Sequence, residues 1–218
     1  MKTSTRLTYL TVLFAVLFTA GCATTYYNTM EKFGIHKRDI LVDRVQEARD
    51  AQVDSKQQFK SSLDRFSKEL NFSGGELEDK YEKLNDEYEE SEEKAAEVSH
   101  RIAKVEEVAD ALFDEWKQEI SEYTSSKLRR SSEQKLSQTK RHYRKLLTAM
   151  KRAESKMSPV LAAFKDQVLF LKHNLNAKAI ASLQGELVSI EGSVTSLIKE
   201  MEASIKEADS FIATIAEE

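Results

Sequence analysis

From Tyr81 to Trp116, apolar and small residues recur at alternating intervals of three and four. They are Tyr81, Leu84, Tyr88, Ser91, Ala95, Val98, Ile102, Val105, Ala109, Leu112 and Trp116. Side chains three and four apart share one face of an α-helix, so an unbroken run of this kind makes one continuous seam. Held over about five heptads, it is a coiled-coil seam rather than the stripe of a short globular helix. The spacing predicts a helix from about Glu76 to Tyr123, ~70 Å long at 1.5 Å per residue.

The rest of the chain follows the same period. One proline and six glycines in 218 residues leave too few breakers for the turns of a sandwich or barrel, which need one every 8–12 positions or so. They are also too few for a glycine-rich nucleotide-binding fold. Close to half of the chain is Ala, Glu, Lys, Leu and Arg, the composition of long helices. The expected class is all-α: an elongated antiparallel coiled-coil bundle of four long helices, or three if one turn is absent.

The first helix should run from about Ile35 to Leu70, with Leu41, Val45, Ala48, Phe59, Leu63, Phe66 and Leu70 on its seam and Gln52 and Ser55 as a gap. Asn71 to Gly75 interrupts it, and Ser73 with Glu76 has the form of a capping box, placing the second helix start there. Thr124-Ser125-Ser126 ends that helix, and Ser131 with Gln134 suggests another box. The third seam passes through Leu136, Tyr143, Met150, Met157, Val160 and Phe164, keeping phase across Pro159. A reversal would have no reason to keep phase, so Pro159 should bend the helix and not end it. The phase fails at Asn174-Leu175-Asn176, where a tight turn is expected, and resumes from Ile180 to Ile215.

The N-terminus reads as an address. Lys2 and Arg6 precede an apolar stretch from Leu7 to Ala20, too short to cross a ~30 Å hydrocarbon core as a helix. A basic start, an apolar run and small residues are the layout of a secretory signal. Thr19-Ala20-Gly21-Cys22 resembles a bacterial lipobox, in which the cysteine is lipidated and becomes the new N-terminus. Residues 1–21 are then a lipoprotein signal peptide, 22–34 the lipidated Cys22 and its tether, and 35–218 one helical domain. Ala23 in place of Asp is the choice that resembles outer-membrane lipoproteins. Cys22 is the sole cysteine, so the mature domain has no thiol for catalysis, disulfides or metal binding.

Charge is segregated. Residues 76–122 carry 18 acids and 6 bases, whereas residues 127–156 carry 11 bases and 2 acids, behind a whole-chain charge of only −4. Two readings are open. A hairpin can lay the basic helix beside the acidic one, with flanking charges setting register; the nearby acids favour this. Alternatively, Lys127, Arg129, Arg130, Lys140, Arg141, Arg144, Lys145, Lys151 and Arg152 form a patch for an anionic partner. Nucleic acid fits poorly, because only Tyr143 interleaves with the basic run. Lipopolysaccharide, anionic lipid or cell-wall polymer fits better.

No catalytic, cofactor or metal site is expected. Gly74-Gly75 lacks the Lys-Ser/Thr of a P-loop. Glu97 and His100 form a single Glu-x-x-His on the outer face, where di-iron bundles use two such motifs turned inward. Trp116 should anchor the core, and Ser131 and Ser132 should act as caps. Lys37 and Arg38, close after the tether, are candidates for a headgroup contact.

Three strings, GIHKRDILVDRV (Gly34 to Val45), SGGELEDKYEKLNDEYE (Ser73 to Glu89) and PVLAAFKDQVLFLKHNLNAKAIASL (Pro159 to Leu183), resemble an uncharacterised proteobacterial family of lipoprotein-like coiled coils. The resemblance implies a helical lipoprotein and carries no functional residues. The expected role is a membrane-anchored, periplasm-facing scaffold or protein-interaction module without enzymatic activity. Its expected partners are the membrane through the anchor and an envelope protein, with a homo-oligomer as a further option.

Overall fold

The computed structural model describes residues 36–71 and 76–217. They form four helices: α1 (Lys37–Asn71), α2 (Leu77–Glu122), α3 (Ser126–His173) and α4 (Ala177–Glu217). Short connections make each helix antiparallel to the one before it. α1 packs on α2 and α4, and α3 packs on the same two, so the four helices close into a ring around one long core. The expected signal peptide, Cys22, the expected tether and Ser73 lie outside the described residues.

The core is built from the seams. Leu41, Phe59, Phe66, Leu84, Ile102, Leu146, Met150, Phe164 and Leu197 are fully or almost fully buried, each worth about 1.5–3 kcal/mol of transfer free energy. Phe164 of α3 bridges the diagonal of the ring. It stacks on Phe66 of α1 at 4.6 Å between centroids and lies 6.4 Å from Phe59.

The turn at Asn174-Leu175-Asn176 is real, so the bundle has four helices and not three. The Asn174 N–H donates to Leu171 O at 3.1 Å. Its side-chain amide donates to Phe170 O at 2.9 Å. Asn176 Oδ1 accepts from the Ala179 N–H at 3.0 Å, the bond an N-cap residue makes. α3 runs through Pro159 as one helix. Pro159 and Ser155 are both exposed, so water can reach the Ser155 carbonyl that a proline cannot serve.

Several local expectations are corrected. The second helix starts at Leu77 with Glu76 as its cap residue, whose own side chain makes no capping hydrogen bond; the expected box cannot form from Glu76 alone, and its Ser73 lies outside the described residues. The third starts at Ser126, capped by Ser125 Oγ accepting from the Leu128 N–H at 3.4 Å, so Ser131 and Ser132 lie inside the helix. The buried line on α2 passes from Ala109 to Phe113 and Ile120, leaving Leu112 and Trp116 half-buried. A straight helix drifts ~20° per heptad from a 3.5-residue repeat, and five heptads of drift amount to one residue position. On α1, Gln52 and Ser55 are not a gap but fully buried core positions, and Ser62 is buried where Leu63 was expected.

Candidate functional site

The basic segment lies on the lower half of α3, beside the lower half of α2 as the hairpin reading requires. The pairing it predicts is largely missing. Between the two helices, Lys151 Nζ meets Glu106 Oε2 at 2.8 Å. Hydrogen bonding to Glu106 raises the Lys151 pKa, opposed by burial and aided by Glu154. Arg152 reaches across to α4 instead, 3.9 Å from Glu200.

Other charges of α2 pair toward α1. Glu115 takes Lys37 at 2.7 Å, Glu87 takes Arg65 at 3.6 Å, and Arg101 of α2 takes Glu47 at 2.9 Å. The reason is geometric. Arg130, Arg141, Arg144 and Lys145 project from the outer side of α3, away from the buried positions Leu136, Tyr143 and Leu146.

Of the nine predicted cations, the remaining seven make no ion pair among the described residues. Arg129 Nη2 donates to Tyr123 O at 2.7 Å and Arg141 Nη1 to Ser137 Oγ at 2.9 Å. Lys140 Nζ lies 5.1 Å from the centroid of the Phe113 ring, a cation–π distance. The side chains of Lys127, Arg130, Arg144 and Lys145 are exposed and make no hydrogen bond or ion pair among the described residues. The stripe from Lys127 to Arg152 is about 37 Å long at the helical rise. Exposed and unpaired, these charges present a positive field that salt screens over a Debye length of about 10 Å.

The stripe begins at the end of the bundle from which α1 starts. Lys37 pairs with Glu115 near the foot of α2, and Arg38 donates to the Ile215 carbonyl near the foot of α4. The turn into α3 lies at this same foot. Lys37 is therefore a buried ion-pair partner, 2 % exposed, and not a free headgroup ligand as the sequence suggested. Arg38 is likewise turned inward.

Trp116 is a half-buried wall whose indole N–H donates to Ser132 Oγ at 2.8 Å. Glu97 pairs with Arg101 at 3.4 Å, and His100 is exposed on the outer face. No cluster of three or more metal-ligating side chains occurs among the described residues. None of the described helices is long and apolar enough to cross a membrane.

Sequence reasoning missed two polar features. Gln52 is fully buried with neither amide atom hydrogen-bonded, and the Ser204 hydroxyl is likewise unpartnered. Arg49–Asp209 and Lys56–Glu202 pairs bracket them, so both belong to the same middle stretch of the α1–α4 contact. The second feature is a groove between the upper halves of α3 and α4, lined in part by Gln167. The 3–4 period around Gln52 carried the first signal, since a polar residue in phase with a seam is a core residue.

A family model described as "Protein of unknown function (DUF2959)" matches residues 26–215. The chain belongs to this family. Its domain covers the described bundle up to Ile215 and reaches back toward Cys22. Comparison with curated proteins and with solved structures returned no match.

Proposed function

We propose that this DUF2959 protein is a lipid-anchored lipoprotein of the bacterial envelope, facing the periplasm from the outer membrane, that works as a non-enzymatic interaction module. The observation that carries the reading is the free basic face of α3. It offers charge at the surface that the bundle itself does not use, and it starts at the foot from which the chain leads back to Cys22. The closed ring of seams supplies a stiff spacer, and acylation of Cys22 would hold it at a membrane, each buried CH₂ contributing ~0.8 kcal/mol.

The scaffold reading takes an envelope protein as the partner. A second reading is favoured by the unpaired stripe: α3 binds an anionic polymer or lipid, such as lipopolysaccharide, cell wall or anionic headgroups. Each Lys or Arg near an anionic surface contributes about 1 kcal/mol. The anchor is tested by labelling cells with radioactive palmitate. The parent chain should take up label and Cys22→Ala should not; an unlabelled parent overturns the anchor. In-cell crosslinking then separates the readings, a recurrent envelope protein supporting the scaffold and its absence counting against it.

A further inference from the structure

On the outer side of α4, small residues recur at intervals of three and four: Ser182, Gly185, Ser189, Gly192 and Ser196. A glycine inside a helix costs about 1 kcal/mol relative to alanine, and nothing within the bundle requires either one. A Cβ at Gly185 or Gly192 would meet no atom within 4 Å. The Ser182 hydroxyl folds back onto the Lys178 carbonyl at 3.1 Å, leaving that part of the face smooth. Beside it stands Val188, 74 % exposed. Small holes with an apolar knob alongside let another helix approach closely.

A second, independent feature borders this stripe. The α3–α4 groove, about 420 Å³ in volume, is lined by Asp166, Gln167 and Glu186 together with Ser182 and Ser189. Gln167 is 4 % exposed, and its Oε1 has no hydrogen-bond partner. A buried acceptor left unpaired costs about 1–3 kcal/mol, and the carboxylates of Asp166 and Glu186 beside it have no ion-pair partner among the described residues. All three groups accept; what they lack is a cationic donor. Lys199 is such a donor, exposed, unpaired and thirteen positions beyond Glu186 on the same helix.

We propose that the occupant is a second copy of this chain, packed antiparallel through α4 with a two-fold axis near Gly192. Such an axis sets Lys199 of each copy over Gly185 of the other. The lysine stem crosses where no side chain stands, and its ammonium enters the groove beside Asp166, Gln167 and Glu186. Val188 of each copy meets Ser196 of the other. A parallel pair would set Lys199 against itself and leave both grooves empty, so the charges select the antiparallel form. If the axis stands normal to a membrane, both basic α3 faces lie on one side of the pair. The fourteen residues between Cys22 and Lys37 reach at most about 50 Å, which lets both anchors meet that surface.

The test is oxidative crosslinking in cells of the full-length chain carrying Gly192→Cys, with the unmodified chain as background and Glu93→Cys, exposed on α2, as a collision control. A disulfide-linked dimer is expected from position 192 and not from position 93. Adding Lys199→Glu should reduce that band at least several-fold, and adding Glu186→Lys to the same chain should restore it. No band at 192, equal bands at 192 and 93, or a band indifferent to Lys199→Glu overturns the proposal. Sedimentation of the chain with Gly192→Leu, at a position where an added Cβ meets no atom of the bundle within 4 Å, checks the same point: a dimer that persists places the contact elsewhere.

Discussion

The indole N–H of Trp116 donates to the hydroxyl of Ser132 at 2.8 Å, tying the last turns of α2 to the first turns of α3. The partners are sixteen residues apart in the chain and flank the turn at which the bundle reverses. Ser132→Ala leaves the half-buried indole without its acceptor and should cost about 1–2 kcal/mol, read from urea unfolding. Trp116 is the only tryptophan, so its fluorescence maximum reports the same change directly. An unchanged midpoint and spectrum would show that the bond contributes nothing.

Gln52 offers the opposite expectation. Its side chain is fully buried with both amide atoms unpartnered, so Gln52→Leu exchanges an unpaired amide for an apolar group of similar size. Stability should rise by about 1–3 kcal/mol, seen as a higher melting temperature. A fall would show that the amide is satisfied in solution.

Phe164 holds the diagonal. Because it is fully buried and stacked on Phe66, Phe164→Ala should destabilise by about 3–5 kcal/mol. Phe170, six residues later and 40 % exposed, should lose less than about 0.5 kcal/mol as alanine, like other surface positions. Equal losses at both positions would contradict the ring geometry.

The bundle should weaken in alkali through Tyr88. Its hydroxyl donates to Glu92 at 2.7 Å; that bond first, then burial, pushes its pKa up to about 12. An unfolded tyrosine ionises near 10. The folded chain therefore keeps a proton that the unfolded chain loses. The stabilisation is full below about pH 10 and disappears as pH rises toward 12. Urea midpoints at about pH 9 and pH 11.5 should differ less for Tyr88→Phe than for the parent. Tyr143, raised chiefly by burial and further by Asp110 and Glu106, contributes in the same direction.

The seams made the architecture legible, because burial of one helix face forces a 3–4 period on the sequence. All the expected seam residues of α3 from Leu136 to Leu171, and nearly all of those of α4, are buried. Where reading failed, the cause was physical. Polar Gln52 reads as a gap when composition is weighed above phase. Leu112 was placed where Phe113 belongs because a strict heptad ignores helical drift. The pairing of α3 with α2 was overestimated because net charge per segment says nothing of which way each side chain projects. Arg141 and Arg144 point outward, and Glu87 and Glu115 point toward α1. The groove at Gln167 was invisible for the opposite reason, since it is formed by two helices whose register only the packed structure defines.

On the proposed reading, the exposed cations of α3 meet an anionic surface. This is tested most directly by co-sedimenting the full-length chain, with Cys22→Ser to remove the anchor, with vesicles of phosphatidylglycerol or of phosphatidylcholine. Binding to the anionic vesicles alone is expected, falling as salt is raised. Replacing Arg130, Arg141, Arg144 and Lys145 together by Gln should weaken it by about three orders of magnitude, at about 1 kcal/mol per charge. Binding that is equal on both vesicles, indifferent to salt, or unchanged by the four substitutions would contradict the account.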